Sequence, residues 1–224
     1  MDELTHLPQI TFELFGLHLV VNTETVIMTW IVMGLLILFA FFATRNVSRL
    51  PNPFQILAEL IVGAFWGLTK DALDEEMARK YFPLICTLFM FLLLANWLGT
   101  FPHLSEPTKD LNTPLGLGIL GFLIAHYSGI RAKGFKEYAK EYFEPIFFMA
   151  PLNIIGEIAK VVSISFRLYG NIMGGAIIVL VVSHLVYSLL LPPFLIAFFS
   201  LFIGTIQAFV FTMLTLVYIS VQVK

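Results

Sequence analysis

Residues 151–187 read PLNIIGEIAKVVSISFRLYGNIMGGAIIVLVVSHLVY, an almost continuously apolar run broken only after it, at Pro192-Pro193. A helix over this run is about 55 Å long at ~1.5 Å per residue. The hydrocarbon core of a bilayer is only about 30 Å thick. Such a helix must tilt far beyond the usual ~20°, break, or run past the interface. Residues 194–223 form a second apolar helix that poses the same problem more mildly. A hairpin of two steeply tilted helices needs something beside it to lean on.

The rest of the chain supports a membrane reading. It has 224 residues, 58% hydrophobic and 12% charged, with a mean hydropathy of +0.89. A soluble domain carries roughly 25% charged residues. The expected fold is an all-α integral membrane protein forming a single membrane domain over 1–224. Its parts are an external N-terminal segment (1–24), a transmembrane helix (25–44), an interfacial amphipathic helix (54–73), a transmembrane hairpin (82–101 and 113–130), a cytoplasmic loop helix (131–145), and the tilted hairpin (151–187 and 194–223). Helices are bounded by Pro51 and Pro53 and by Pro145. Residues 1–24 contain no Lys or Arg, so they lack the basic start of a signal peptide. The lone Cys86 lies in an apolar stretch and reads as a packed thiol, which leaves no disulfide framework and no cysteine metal site. A net charge of -2 with no basic run gives no sign of nucleic acid as a partner.

Charge sets the expected orientation, because Lys and Arg concentrate in cytoplasmic loops. If 54–73 lies along the interface, Arg45, Arg49, Lys70, Arg79, Lys80, Arg131, Lys133, Lys136, Lys140 and Lys224 all fall on one side. Only Lys109 then falls on the other. If 54–73 crosses, residues 131–140 change sides and the asymmetry collapses. The N terminus is therefore expected outside and the C terminus in the cytoplasm.

Polar groups inside the long run are the candidate functional residues. Asn153, Glu157, Lys160, Arg167 and Asn171 follow at intervals of 4, 3, 7 and 4, so they share one helical face; His184 lies further on. Glu157 and Lys160 can pair at i,i+3, either as a purely structural pair or as part of a site. Glu157 is ~15 Å along the axis from Arg167, too far to pair with it. A mid-membrane arginine costs at least ~3 kcal/mol without an anion or water. No acid on its own helix reaches Arg167, which points to an acid on another subunit. Residues 194–223 carry a thinner stripe: Ser200, Gly204, Gln207, Phe211, Thr215, Tyr218 and Gln222. Those residues are either helix–helix glue or the lining of a polar route. Gly170, Gly174 and Gly175 allow close helix approach.

The run Ser163-Ile-Ser-Phe-Arg167-Leu-Tyr-Gly170-Asn171 resembles the signature of the a subunit of F-type ATP synthases, of the bacterial type. So do Pro151-Leu-Asn-Ile-Ile-Gly-Glu157-Ile-Ala-Lys160, the stretch from Gly204 through Gln207 to Tyr218, and Asn96 before Gly99 and Pro102. The resemblance implies ion translocation, of proton or sodium, through two half-channels against a rotor ring of c subunits. The ion gradient is thereby coupled to ATP synthesis. It makes Arg167 the essential cation facing a rotor carboxylate, with Asn171 and Gln207 as neighbours. Ser200 and His184 fall on the outer side, and Glu157 and Lys160 flank the inner path. It implies as partners the c-ring, the peripheral-stalk b subunits, the remainder of the synthase and membrane lipid, in the bacterial inner membrane. It implies no cofactor and no catalytic residue, and no Gly-rich Lys-Ser/Thr nucleotide loop is present.

Four positions depart from the family pattern. Many members have Pro at the position of Val161, an acid at that of Ala176, His or an acid at that of Ser200, and an acid at that of Gly99. The usual titratable lining of the outer path is thus missing; His184, His126, or water held by hydroxyls and amides stand as replacements. Two rival readings are a stand-alone ion transporter, which calls for inverted repeats and broken helices, and an intramembrane hydrolase, which calls for a mid-membrane catalytic pair. The chain shows neither pattern.

Overall fold

The computed structural model describes residues 9–14, 17–45, 53–101, 104–143, 150–185 and 191–223. Arg49, Pro51, Pro102, His103, Pro145 and Lys224 lie outside the described residues. Eight α-helices are described: α1 (Thr23–Thr44), α2 (Pro53–Ala72), α3 (Glu75–Trp97), α4 (Asn112–Lys133), α5 (Phe135–Phe143), α6 (Ala150–Leu185), α7 (Leu191–Ala197) and α8 (Gly204–Val223). A π-helical turn, Phe198–Ile203, joins α7 to α8. Together they form a helical membrane protein with a long C-terminal hairpin. Five helical runs, Thr23–Thr44, Glu75–Thr100, Asn112–Lys133, Ala150–Leu185 and Leu191–Val223, are long and apolar enough to cross a bilayer.

One element departs from the all-α expectation. Strands β1 (Gln9–Leu14) and β2 (Leu17–Asn22) pair antiparallel ahead of α1. The register sets Ile10 against Val21, Phe12 against Leu19 and Leu14 against Leu17. The period-two alternation of apolar residues that favours such a ladder is present in the sequence, but a segment described only as external leaves it unread.

α1 buries only Val32 and Ala43, and its Trp30, Ile37, Leu38, Phe41 and Phe42 are exposed. So much apolar surface on one helix suits lipid rather than water. α2 and α3 are joined through Leu73 and Asp74 alone. They pack along each other through Trp66–Phe82, with ring centroids 5.5 Å apart, and Phe65–Phe89, at 4.4 Å. Cys86 is half-buried rather than packed in the core. It lines a groove between α1, α2 and α3 with Ala40, Ile61 and Met90.

α8 is the hub. It packs against α3, α4 and α6, and its Phe211, Leu216 and Ile219 are fully buried with Ile85 and Leu92 of α3 and Leu168 of α6. The small and polar stripe of α8 faces inward. Gly204, Gln207, Phe211 and Thr215 are all buried. Thr212 and Thr215 donate to the carbonyls of Ala208 and Phe211 at 2.8 and 2.9 Å, so their hydroxyls need no outside partner. Ser220 donates to the Ala72 carbonyl at 2.6 Å, tying the end of α8 to the end of α2. Tyr138 on α5 donates to Gln222 at 2.9 Å. Pro192 and Pro193 sit in the first turn of α7, where a missing N–H leaves no helical bond unmade.

At the other end, Asn96 clamps the bundle. It is fully buried, donates to the Gly204 carbonyl at 2.8 Å, and accepts from Thr108 at 2.7 Å. A side chain at Gly204 would collide with Asn96. Removing the amide leaves the Thr108 hydroxyl buried without its acceptor, at a cost of about 1–3 kcal/mol, and takes from the Gly204 carbonyl its tie to α3. Asn96→Ala is therefore expected to lower the melting temperature of the protein in mild detergent clearly, while Asn112→Ala, at an exposed site, leaves it unchanged.

Candidate functional site

α6 is 36 residues long and unbroken, about 54 Å at ~1.5 Å per residue. Its inner side is built from Val161, Ile164, Ser165, Leu168, Ile172 and Gly175, all buried. Ser165 donates to the Pro114 carbonyl at 3.1 Å and so holds α6 to α4. The opposite side is bare: Val162, Phe166, Ile177, Ile178 and Val181 are exposed. Gly170 and Gly174 have open space where a side chain would stand, whereas Gly175 closes on Phe199.

Arg167 lies on the bare side and is exposed. Among the described residues it has no ion pair and no hydrogen bond. Glu59, an acid within an apolar helix, accepts from Gln55 at 2.8 Å and stays on α2. Among the described residues, a permanently charged guanidinium thus stands on an apolar face without a neutralising partner.

Asn171, one turn further along α6, donates to Gln207 Oε1 at 2.8 Å. This joins the polar stripes of α6 and α8 beside Arg167. Gln207 is only 3% exposed, and its Nε2 is buried with no partner. An orphan amide of this kind costs about 1–3 kcal/mol in a dry interior, so it belongs where water or another chain can reach.

Two cavities lie along α6, one on each side of Arg167. The first, of about 270 Å³, is lined by Gly99, Glu106, Lys109, Ala176, Ser183 and Ser200, among others. The second, of about 350 Å³, is lined by Asn153, Gly156, Glu157, Lys160 and Gln222 with Leu152 and Val221. In the second, Lys160 Nζ donates to Glu157 Oε1 at 2.6 Å and lies 5.8 Å from the Tyr218 ring centroid.

Ser200 does not join Asn171 and Gln207. It sits in the π turn, 3% exposed, and donates to Glu106 Oε1 at 2.9 Å. A purely α-helical stripe aligns Ser200 with Gln207. The π turn, closed by the Gly204 N–H on the Phe199 carbonyl, inserts one residue and rotates what precedes it by about 100°. His184 is exposed, with Nδ1 3.1 Å from the Leu180 carbonyl of its own helix. His126 lies 3.0 Å from the Phe122 carbonyl on α4. Neither histidine lines the first cavity, although Ser183 does.

Glu106, in the loop between α3 and α4, is a residue that the sequence reading does not single out. The loop is tied down at several points. Thr108 is held by Asn96, and Asp110 accepts from Asn22 at 2.8 Å and Thr25 at 3.1 Å. Ser105 donates to Glu24. The signal available in the sequence was Gly99, a residue with no side chain at a position where an acid was expected.

The profile of the family described as "ATP synthase A chain" matches residues 26–220. The chain is similar to ATP synthase subunit a of Moorella thermoacetica, at 37% identity over 97% of each chain. It is also similar to ATP synthase subunit a 2 of a Bradyrhizobium strain, at 38% identity over 94% of this chain and 93% of the relative. Subunit a of Legionella pneumophila is 34% identical over 98% of this chain and 94% of the relative.

The Glu157–Lys160 pair is partly open, with side-chain exposures of 18% and 42%. Pairs of this kind contribute at most about 1 kcal/mol. Glu157→Gln and Lys160→Gln are each expected to leave folded yield and melting in detergent nearly unchanged. A collapse of either measure marks the pair as structural.

Proposed function

The chain belongs to the ATP synthase A chain family, and from that membership we propose that it is the ion-translocating stator subunit of an F-type ATP synthase, with Arg167 as the fixed cation that a rotor carboxylate meets. The family implies proton translocation in the membrane sector of the synthase, by a multi-pass protein of the bacterial inner membrane. The finer reading concerns how it works. The observation that carries it is Arg167, exposed on the bare side of α6 with no anion beside it among the described residues.

Each rotor subunit supplies that anion in turn. The guanidinium cannot deprotonate. It favours the ionised carboxylate and so drives off the bound proton. It also bars a direct leak, since a cation cannot pass a fixed cation cheaply. The cavity at Glu106 and Ser200 is the outer half-path, which leads on toward Asn171 and Gln207 beyond its lining. The cavity at Glu157 and Lys160 is the inner half-path. A proton that enters by one leaves by the other only after riding the ring around. The force available is about 2.3 kcal/mol per charge per 100 mV. The smooth surface at Gly170 and Gly174 lets the ring come close. The subunit itself forms no bonds; the catalytic sites belong to other subunits, and the peripheral-stalk b subunits hold this one still.

Arg167→Ala is expected to abolish ATP-driven proton pumping by assembled enzyme in inverted vesicles while ATPase stays bound to the membrane. Arg167→Lys is expected to fail as well, because a point charge does not copy the planar fork. Normal pumping by either assembled variant refutes the reading.

The same proposal has α2 along the cytoplasmic interface, the N terminus outside and the C terminus inside. With Cys86 replaced by Ser, single cysteines at the exposed positions Glu75 and Asn112 are expected to label from opposite faces of sealed vesicles. Labelling from one face contradicts this topology.

A further inference from the structure

In the first cavity, Glu106 is the only acid among the lining residues. Its carboxylate occupies the space in front of Gly99; a Cβ built there would overlap Oε1 and Cδ. Ala176, another small residue, is also on the cavity wall. The one hydrogen bond the Glu106 carboxylate makes among the described residues is the one it accepts from Ser200. It has no ion pair there, although Lys109 lines the same cavity. Glu24 on α1 is one residue removed, held by Ser105. Among the lining residues, α6, α7 and the π turn present no charged or titratable group to it. Among the described residues this carboxylate thus faces the cavity with one donor and no counter-ion. The anchored loop holds it there.

We propose that Glu106 is the proton-exchanging group of the outer half-path. This rests on the stator reading above. The carboxylate takes a proton from a hydronium ion that enters from outside, releasing water and becoming the neutral acid. It then gives that proton to water on the Asn171–Gln207 side and returns to the carboxylate. Ser200 is the positioning residue, fixing Oε1 by its hydroxyl. Gly99 and Ala176 supply the room. The titratable group of the path thus comes from the outer loop rather than from the tilted hairpin.

The test uses the whole synthase in membrane vesicles. Glu106→Gln keeps the size and a carbonyl oxygen for Ser200 but cannot exchange a proton. Passive proton conduction through ATPase-stripped vesicles and ATP-driven pumping are both expected to fall by about a hundredfold, with the amount of assembled enzyme unchanged. Adding Ala176→Glu to Glu106→Gln returns a carboxylate to the same cavity and is expected to restore much of the flux, which a purely structural role would not allow. Glu106→Asp, the more conservative variant, is expected to conduct with a displaced pH profile. Wild-type conduction by Glu106→Gln, absence of rescue by Ala176→Glu, or an unmoved profile in Glu106→Asp overturns the assignment. Arg167→Ala in parallel separates the two proposals. If it fails to pump while Glu106→Gln pumps normally, only the Glu106 assignment is lost; if it pumps normally, the stator reading itself is lost.

Discussion

A guanidinium keeps its charge under all physiological conditions, and hydrocarbon does not accept it without an anion or water. Arg167 brings that problem into a 36-residue apolar helix, and no described residue of the chain solves it. Most of the architecture is arranged around this one group. The inner side of α6 is closed tightly onto α4 and α8, so the arginine cannot turn inward to find a partner. The outer side is left bare and, at Gly170 and Gly174, flat. A surface like that is incomplete by itself. In the function proposed above, a neighbouring subunit's carboxylate finishes it, and the unpaired charge favours that neighbour's ionised form.

The polar groups around Arg167 divide into two sets by position along α6. Asn171, Gln207, Ser200 and Glu106 lie toward one end, and Glu157, Lys160 and Gln222 toward the other. Each set has a cavity, and the arginine lies between them. A continuous polar channel would short-circuit an ion gradient. Two cavities separated by a fixed cation can hold water at both ends without a through path. The unpaired Nε2 of Gln207 is consistent with water or a partner reaching the level of the arginine from one side.

The buried stripe on α8 serves packing and chemistry together. Gly204 lets Asn96 close on the backbone, which ties α8 to α3, and Ser220 donates to the Ala72 carbonyl, which ties α8 to α2, while Thr212 and Thr215 satisfy their hydroxyls within α8 itself. That rigid hub holds Gln207 toward Asn171. The loop at 104–111 is fixed in the same way, through Asn96, Asn22, Thr25 and Glu24. Its carboxylate at Glu106 is therefore presented to Ser200 from a braced support rather than from a loose tip.

The sequence by itself determined what depends on short-range order. Apolar runs of helical length specified a membrane fold with a long terminal hairpin. A spacing of three or four residues put Glu157 beside Lys160 and Asn171 one turn from Arg167, because helical neighbours are set by backbone geometry alone. The want of any acid within reach on the same helix was equally legible. Only the tertiary structure decided which residues meet across elements. Glu106 and Ser200 are 94 positions apart, Asn96 and Gly204 108, and Asn171 and Gln207 36. The first of these contacts also depends on a π turn that rotates Ser200 out of the α-helical stripe. No periodicity encodes such meetings; they follow from how three or more packed helices and a tethered loop divide the available space, and there a glycine at 99 matters as much as a carboxylate at 106.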